Sequence, residues 1–127
     1  MTIYALSSGS GISGVAIIRI SGLEASNVIK SLTSREIPKP RMATLRKINN
    51  INTSELIDEG IIIWFPGPES YTGEDMAEIH IHGGKAGILA VQNEISKIKN
   101  CRLAEPGEFT KLAFQNGKIN LLKAESI

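Results

Sequence analysis

A two-layer α+β domain, with a mixed β-sheet packed with about three helices, is the fold class that three features of this 127-residue chain predict. Two β-branched runs, Val15-Ala-Ile-Ile-Arg-Ile20 and Gly60-Ile-Ile-Ile-Trp-Phe65, are too short for helices and too apolar for loops. Two other stretches space their apolar residues at helical intervals: Ala25, Val28, Ile29 and Leu32, then Ile88, Val91, Ile95 and Ile98. The elements interleave in the order β, β, α, β, β, β, α, β, α, which departs from the strict alternation of a parallel α/β sheet.

Ile3 to Leu6 reads as a short strand, and Ser7 to Gly14, with three glycines, as a flexible loop. The run from Val15 carries one charge, Arg19, on the face of Val15 and Ile17, and an arginine there must reach solvent, a carboxylate or a ligand. Ser21-Gly22-Leu23-Glu24 has capping-box spacing, so a helix is expected over about 22–33. Pro38-Lys39-Pro40 breaks the chain, Ala43 to Ile48 makes a strand, and the polar residues 49–54 turn into its partner, Leu56 to Phe65. Pro66 to Gly73 is a loop stiffened by prolines and jointed by glycines. In the strand that follows, alternation puts Glu78, His80 and His82 on one face and Ala77, Ile79 and Ile81 on the other. A helix over about 84–99, a short strand at 102–104 and a helix from Glu108 to Gln115, closed by Asn116-Gly117, come next. Asn120 is a helix N-cap with no terminator after it, so residues 120–127 read as a helix that has only begun.

Composition narrows the function classes. The chain is 42% hydrophobic, enough for one core that buries roughly two thirds of the unfolded surface. Its 14 basic and 13 acidic residues are interspersed and sum to +1, which gives no electrostatic argument for nucleic acid as a direct partner. The single Cys101 excludes an internal disulfide framework, fits a reducing compartment and reads as a small core thiol. No apolar run approaches the ~20 residues that span a bilayer, and a cytoplasmic location without membrane association is expected.

The row of Glu78, His80 and His82 is open to three readings: a ligand-binding surface, a metal site, or a wet sheet face. No second cluster of Cys, His or Asp supplies further metal ligands, so no metal residue is assigned. Glu74 and Asp75 read as turn groups, Trp64 and Phe65 as core, and no catalytic residue is assigned. Gly83-Gly84-Lys85 lacks both the earlier glycine and the Ser or Thr of a phosphate loop, so the chain alone should not hydrolyse GTP.

Several strings in the same order resemble one family across essentially the whole chain. Val15-Ala-Ile-Ile-Arg-Ile-Ser-Gly22, Trp64-Phe-Pro-Gly-Pro-Glu-Ser-Tyr-Thr-Gly-Glu-Asp75, Glu78 with His82-Gly-Gly84, and Pro106-Gly-Glu-Phe109 with Asn116-Gly-Lys118 resemble the N-terminal domain of the tRNA modification GTPases MnmE, also called TrmE. The resemblance implies a fold like the folate-binding part of the glycine-cleavage T protein, and a homodimer formed through this domain. It implies a reduced folate as cofactor, 5-formyltetrahydrofolate or another one-carbon tetrahydrofolate. It further implies MnmG as functional partner and tRNA as substrate, modified with an aminomethyl-type group at C5 of the wobble uridine. By the same resemblance residues 1–119 are the folate-binding and dimerisation domain, residues 120–127 start a truncated helical domain, and GTP, magnesium and potassium belong to a G domain absent from this chain. The family's folate contacts fall on Arg19, Glu78 and Lys118. The chain departs from the family at Ser7 and Ser8, where prolines are common, and at Asn120, where Asp is usual.

Chemistry adds modest independent support. A pterin edge offers two adjacent N–H donors, which one ionised carboxylate such as Glu78 accepts as a pair. Arg19 suits the carbonyl side or the glutamyl tail, and Lys118 supplies a flexible point charge. Two rival readings stand beside this one: an assembly module with no ligand of its own, and a metal-binding domain using Glu78, His80 and His82.

Overall fold

A computed structural model describes residues 1–7 and 14–118. The glycine loop at 8–13 and the helix expected from Asn120, with its domain boundary, lie outside the described residues. The described elements follow the expected order: β1 (Thr2–Leu6), β2 (Val15–Ser21), α1 (Ala25–Thr33), β3 (Thr44–Asn49), β4 (Leu56–Phe65), β5 (Met76–His82), α2 (Lys85–Ser96), β6 (Cys101–Leu103) and α3 (Glu108–Gln115). The strands form one six-stranded sheet in the order β3-β4-β5-β2-β1-β6. Every neighbouring pair is antiparallel except β1 and β6, and that pair makes the sheet mixed as expected.

One face of the sheet meets α1 and α2. Ile18, Ile20, Ile62, Ile79 and Ile81 from the strands pack with Val28, Ile29, Leu32, Val91 and Ile95 from the helices. Each such side chain contributes about 1.5–3 kcal/mol when fully buried. Trp64 joins this core, whereas Cys101 sits half-buried at its margin. Glu94 is the exception on α2: it is 3% exposed, and its carboxylate accepts from the Ile51 backbone N–H at 2.8 Å and from Lys97 at 2.7 Å. Burial pushes the Glu94 carboxyl up, but these two donors outweigh it and hold the group below its ordinary value.

The expected capping box at Ser21 does not form. Ser21 ends β2, opposite Met76, and its hydroxyl pairs with Thr72 and Glu74 instead; α1 starts after Glu24, with no side-chain cap. Gly22 makes the turn at φ 139°, where an added Cβ would lie 2.5 Å from Thr2 Oγ1 and 2.7 Å from Thr2 Cα. The helix over 84–99 is shorter than its apolar pattern, because the backbone bonds of Lys97 and Ile98 tighten to three-residue spacing. At the end of α3, the Lys118 N–H reaches Ala113 O at 2.8 Å and the Gly117 N–H reaches Phe114 O at 3.0 Å, with Gly117 at φ 73°. That is the glycine-closed C-cap which Asn116-Gly117 signalled.

Candidate functional site

The other face of the sheet carries the chemistry. Register places Arg19 beside Glu78 and Glu78 beside Ile63, while Ile17, His80 and Ile61 form the next row. Antiparallel partners project to the same side, so the polar residues of β5 stand between two apolar flanks. Arg19 Nη2 donates to Glu78 Oε2 at 3.2 Å, and His80 Nε2 lies 2.9 Å from Glu78 Oε1. Against an ionised carboxylate, that contact requires His80 to carry its proton on Nε2. Arg19 and Glu78 are 31% and 18% exposed, buried enough to be held in place and open enough to meet a ligand.

A cavity of about 460 Å³ lies over this pair, lined by Arg19, Phe65, Tyr71, Met76 and Glu78. The Arg19 guanidinium stands 5.9 Å from the centre of the Tyr71 ring. Aromatic walls with a carboxylate and a guanidinium on the floor suit a flat heterocycle bearing donors and a carbonyl on its edge. Phe65 departs from the sequence reading: it lines this cavity, whereas its neighbour Trp64 is core.

Polar bonds fix the loop that carries Tyr71. The Gly67 N–H donates to Asp75 Oδ1 at 2.8 Å, and the Ser70 hydroxyl donates to the Glu74 carbonyl. Ser21 Oγ lies 2.8 Å from both Thr72 Oγ1 and Glu74 Oε1, so Glu74 and Asp75 act as turn groups. Asn116 Nδ2 donates to Thr72 O at 2.7 Å.

Arg19 and Glu78 are therefore brought together, and Lys118 is not in contact with them. Lys118 Nζ donates to Pro68 O at 2.8 Å, on the same loop as Tyr71, and its exposed side chain does not line the cavity. His82 separates from the row as well. Its ring is 81% exposed and pairs with Asp58 of β4, Nδ1 to Oδ1 at 2.9 Å, while its backbone N–H bonds Asp58 Oδ2 at 2.9 Å. Burial raises the Asp58 carboxyl, but the backbone and ring donors of His82 and the Glu59 N–H together lower it below its ordinary value. Among the described residues, no group of three or more His, Cys, Asp or Glu has the geometry to hold a metal ion.

Sequence reasoning missed Tyr71 and Met76 as site residues and Asp58 as the partner of His82. Tyr71 stood in a loop already read as rigid, and that was the available signal for it. The partner of His82 depends on the pairing of β4 with β5, which no local pattern reports.

The family described as GTP-binding protein TrmE N-terminus matches residues 2–118. A tRNA modification GTPase MnmE of Pelagibacter ubique is 77% identical over 127 residues, which are 100% of this chain and 29% of that protein. A mitochondrial tRNA modification GTPase of Dictyostelium discoideum is 50% identical, over 99% of this chain and 26% of its own length. A mitochondrial 5-taurinomethyluridine tRNA synthase subunit of Danio rerio is 48% identical, over 99% of this chain and 25% of its own length. The chain thus spans between a quarter and a third of the length of these relatives. With a match over nearly every residue, the chain belongs to the TrmE N-terminal family.

Proposed function

We propose that this chain is the cofactor-binding and dimer-forming N-terminal part of a tRNA modification GTPase, and that its cofactor is a reduced folate such as 5-formyltetrahydrofolate. The observation that carries the reading is the Arg19–Glu78 pair on the floor of the cavity walled by Tyr71 and Phe65. Glu78 accepts the paired N–H donors of the pterin, Arg19 meets its carbonyl or the tail carboxylates, and the rings enclose its faces. Lys118 has a long flexible stem and leaves Pro68 to meet a bound tail. GTP hydrolysis, action on the wobble uridine of tRNA with MnmG, and a cytoplasmic setting belong to this reading of the whole protein; the names of its relatives support the tRNA modification and GTPase parts of it.

A specific observation favours self-association on the same face. Val15 and Leu45 are 48% and 59% exposed there, and Ile17, Ile61 and Ile63 are half-buried beside them. A second copy is the partner of matching shape and chemistry for such an apolar strip. Isothermal titration of the chain with 5-formyltetrahydrofolate tests the cofactor reading, together with Glu78→Ala. Binding that weakens at least tenfold in the variant supports it, and no heat at millimolar ligand overturns it. Sedimentation decides the dimer: a monomer at high concentration removes that part alone.

A further inference from the structure

We propose that the β3 edge of this domain contacts the phosphate backbone of RNA. Residues 30–47 run from the last turn of α1 through the Pro38–Pro40 break into β3, and they hold Lys30, Arg35, Lys39, Arg41, Arg46 and Lys47 against the single acid Glu36. This stretch is +5 in a chain that totals +1, so the remaining residues sum to −4. The even mixture of charges suggested by the whole-chain balance does not hold locally.

The fold concentrates these cations. β3 is an edge strand, so one of its sides has no strand neighbour among the described residues. Arg46 shares the helix-covered face with Ile48, and Lys47 the open face with Leu45, so cations flank the edge on both sides. Arg35 joins them from the turn after α1. A cavity of about 310 Å³ is lined by Arg35, Arg46, Lys47, Thr33, Asn49 and Glu59, which sets three cations against one carboxylate. Arg46 Nε is buried and donates to nothing among the described residues. Nor does any of the six basic groups lie within ion-pair distance of a carboxylate among the described residues. Arg41 and Arg46 donate to the carbonyls of Glu69 and Leu45 instead, at 2.8 and 3.0 Å.

An edge flanked by cations without a carboxylate at ion-pair distance fits a linear polyanion whose charges repeat along its length. Lysine also guards strand edges against unwanted pairing, but a guard needs no cations ahead of the strand such as Arg35 and Arg41. The choice of RNA among polyanions rests on the tRNA part of the proposed function, and the folate part is independent of it.

Fluorescence anisotropy of a labelled unmodified tRNA transcript, titrated with the full chain between about 50 and 200 mM salt, tests the assignment. The substitution set Arg35→Gln, Arg46→Gln, Lys47→Gln is expected to weaken binding at least tenfold at low salt and to lower the log–log salt slope by about two to three. The control set Lys85→Gln, Lys99→Gln, Lys111→Gln should change both far less. Because Arg46 is half-buried, the exposed pair Lys39→Gln, Lys47→Gln serves as a second test, expected to lower the slope by about one to two. No salt-dependent binding by the wild type, or equal slopes in all variants, overturns the proposal. So does preferential binding to phosphatidylserine vesicles, which would assign a membrane surface, or aggregation of the substituted chain with unchanged RNA binding, which would leave only an edge guard. Folate titration of the same proteins separates the readings, since the three substitutions should leave it unchanged.

Discussion

Glu78 and His80 sit two residues apart on β5 and share a contact of 2.9 Å, so the carboxylate over the cavity is held at one oxygen by its own strand and at the other by Arg19. A carboxylate pinned at both oxygens keeps one orientation, yet each oxygen retains a lone pair for a ligand donor. His80 is thus a positioning residue for the proposed folate site. Its removal should weaken 5-formyltetrahydrofolate binding by about 2- to 10-fold, the range of one hydrogen bond. Titration calorimetry of His80→Ala and His80→Gln checks this: the glutamine, which retains a donor, should recover part of the loss, and equal affinities in all three proteins would remove the role.

Glu94 should prove a stability residue without any part in the site. Glu94→Ala leaves the Ile51 N–H without its acceptor and Lys97 without its partner, at a cost of about 1–3 kcal/mol in urea unfolding. Folate affinity of the folded fraction should stay unchanged; a variant as stable as the wild type contradicts the role.

Gly22→Ala is expected to be more severe. The backbone there is at φ 139°, and the new methyl would overlap Thr2 at both Oγ1 and Cα. Strain of this kind costs on the order of 1–3 kcal/mol from the backbone alone, before any displacement of β1. A thermal melt within a degree or two of wild type would show that β1 yields freely.

Acid should loosen α3. The Arg102 guanidinium forks onto Glu108 and, with the Glu105 N–H, lowers the Glu108 carboxyl from 4.5 to about 2. A carboxyl lowered on folding adds stability that is fully present above pH 4.5 and is lost as pH falls toward 2. The stability difference between wild type and Glu108→Gln should therefore shrink over that interval. A difference that stays constant with pH would assign the pair no linkage.

Much of this was legible in the sequence for identifiable reasons. Period-two alternation located Glu78 and His80 on one face, and an arginine inside a β-branched run had to find a partner; the carboxylate opposite supplied it. Patterns that depend on distant pairing were illegible. The capping signal at Ser21 failed because its hydroxyl is claimed by Thr72 and Glu74, some fifty positions away. His82 left the row because its ring and its backbone N–H both bond Asp58, a residue of β4 twenty-four positions earlier in the chain. The basic edge was hidden by averaging, since charges that balance over the chain are segregated along one strand and the turn before it.

The C-terminal end of α3 has one more consequence. That helix fully buries only Ala113, so little apolar surface holds it to the sheet. Yet Asn116 and Lys118 bind the loop of Tyr71 at Thr72 and Pro68, and the Lys118 stem would lie 3.5 Å from a methyl at Gly73. The wall of the pocket is thus latched by one of the weakest-anchored pieces of the fold. Release of α3 would unlatch Tyr71 while the sheet stays intact, a local opening that hydrogen exchange would register as amides of α3 exchanging well before those of α1.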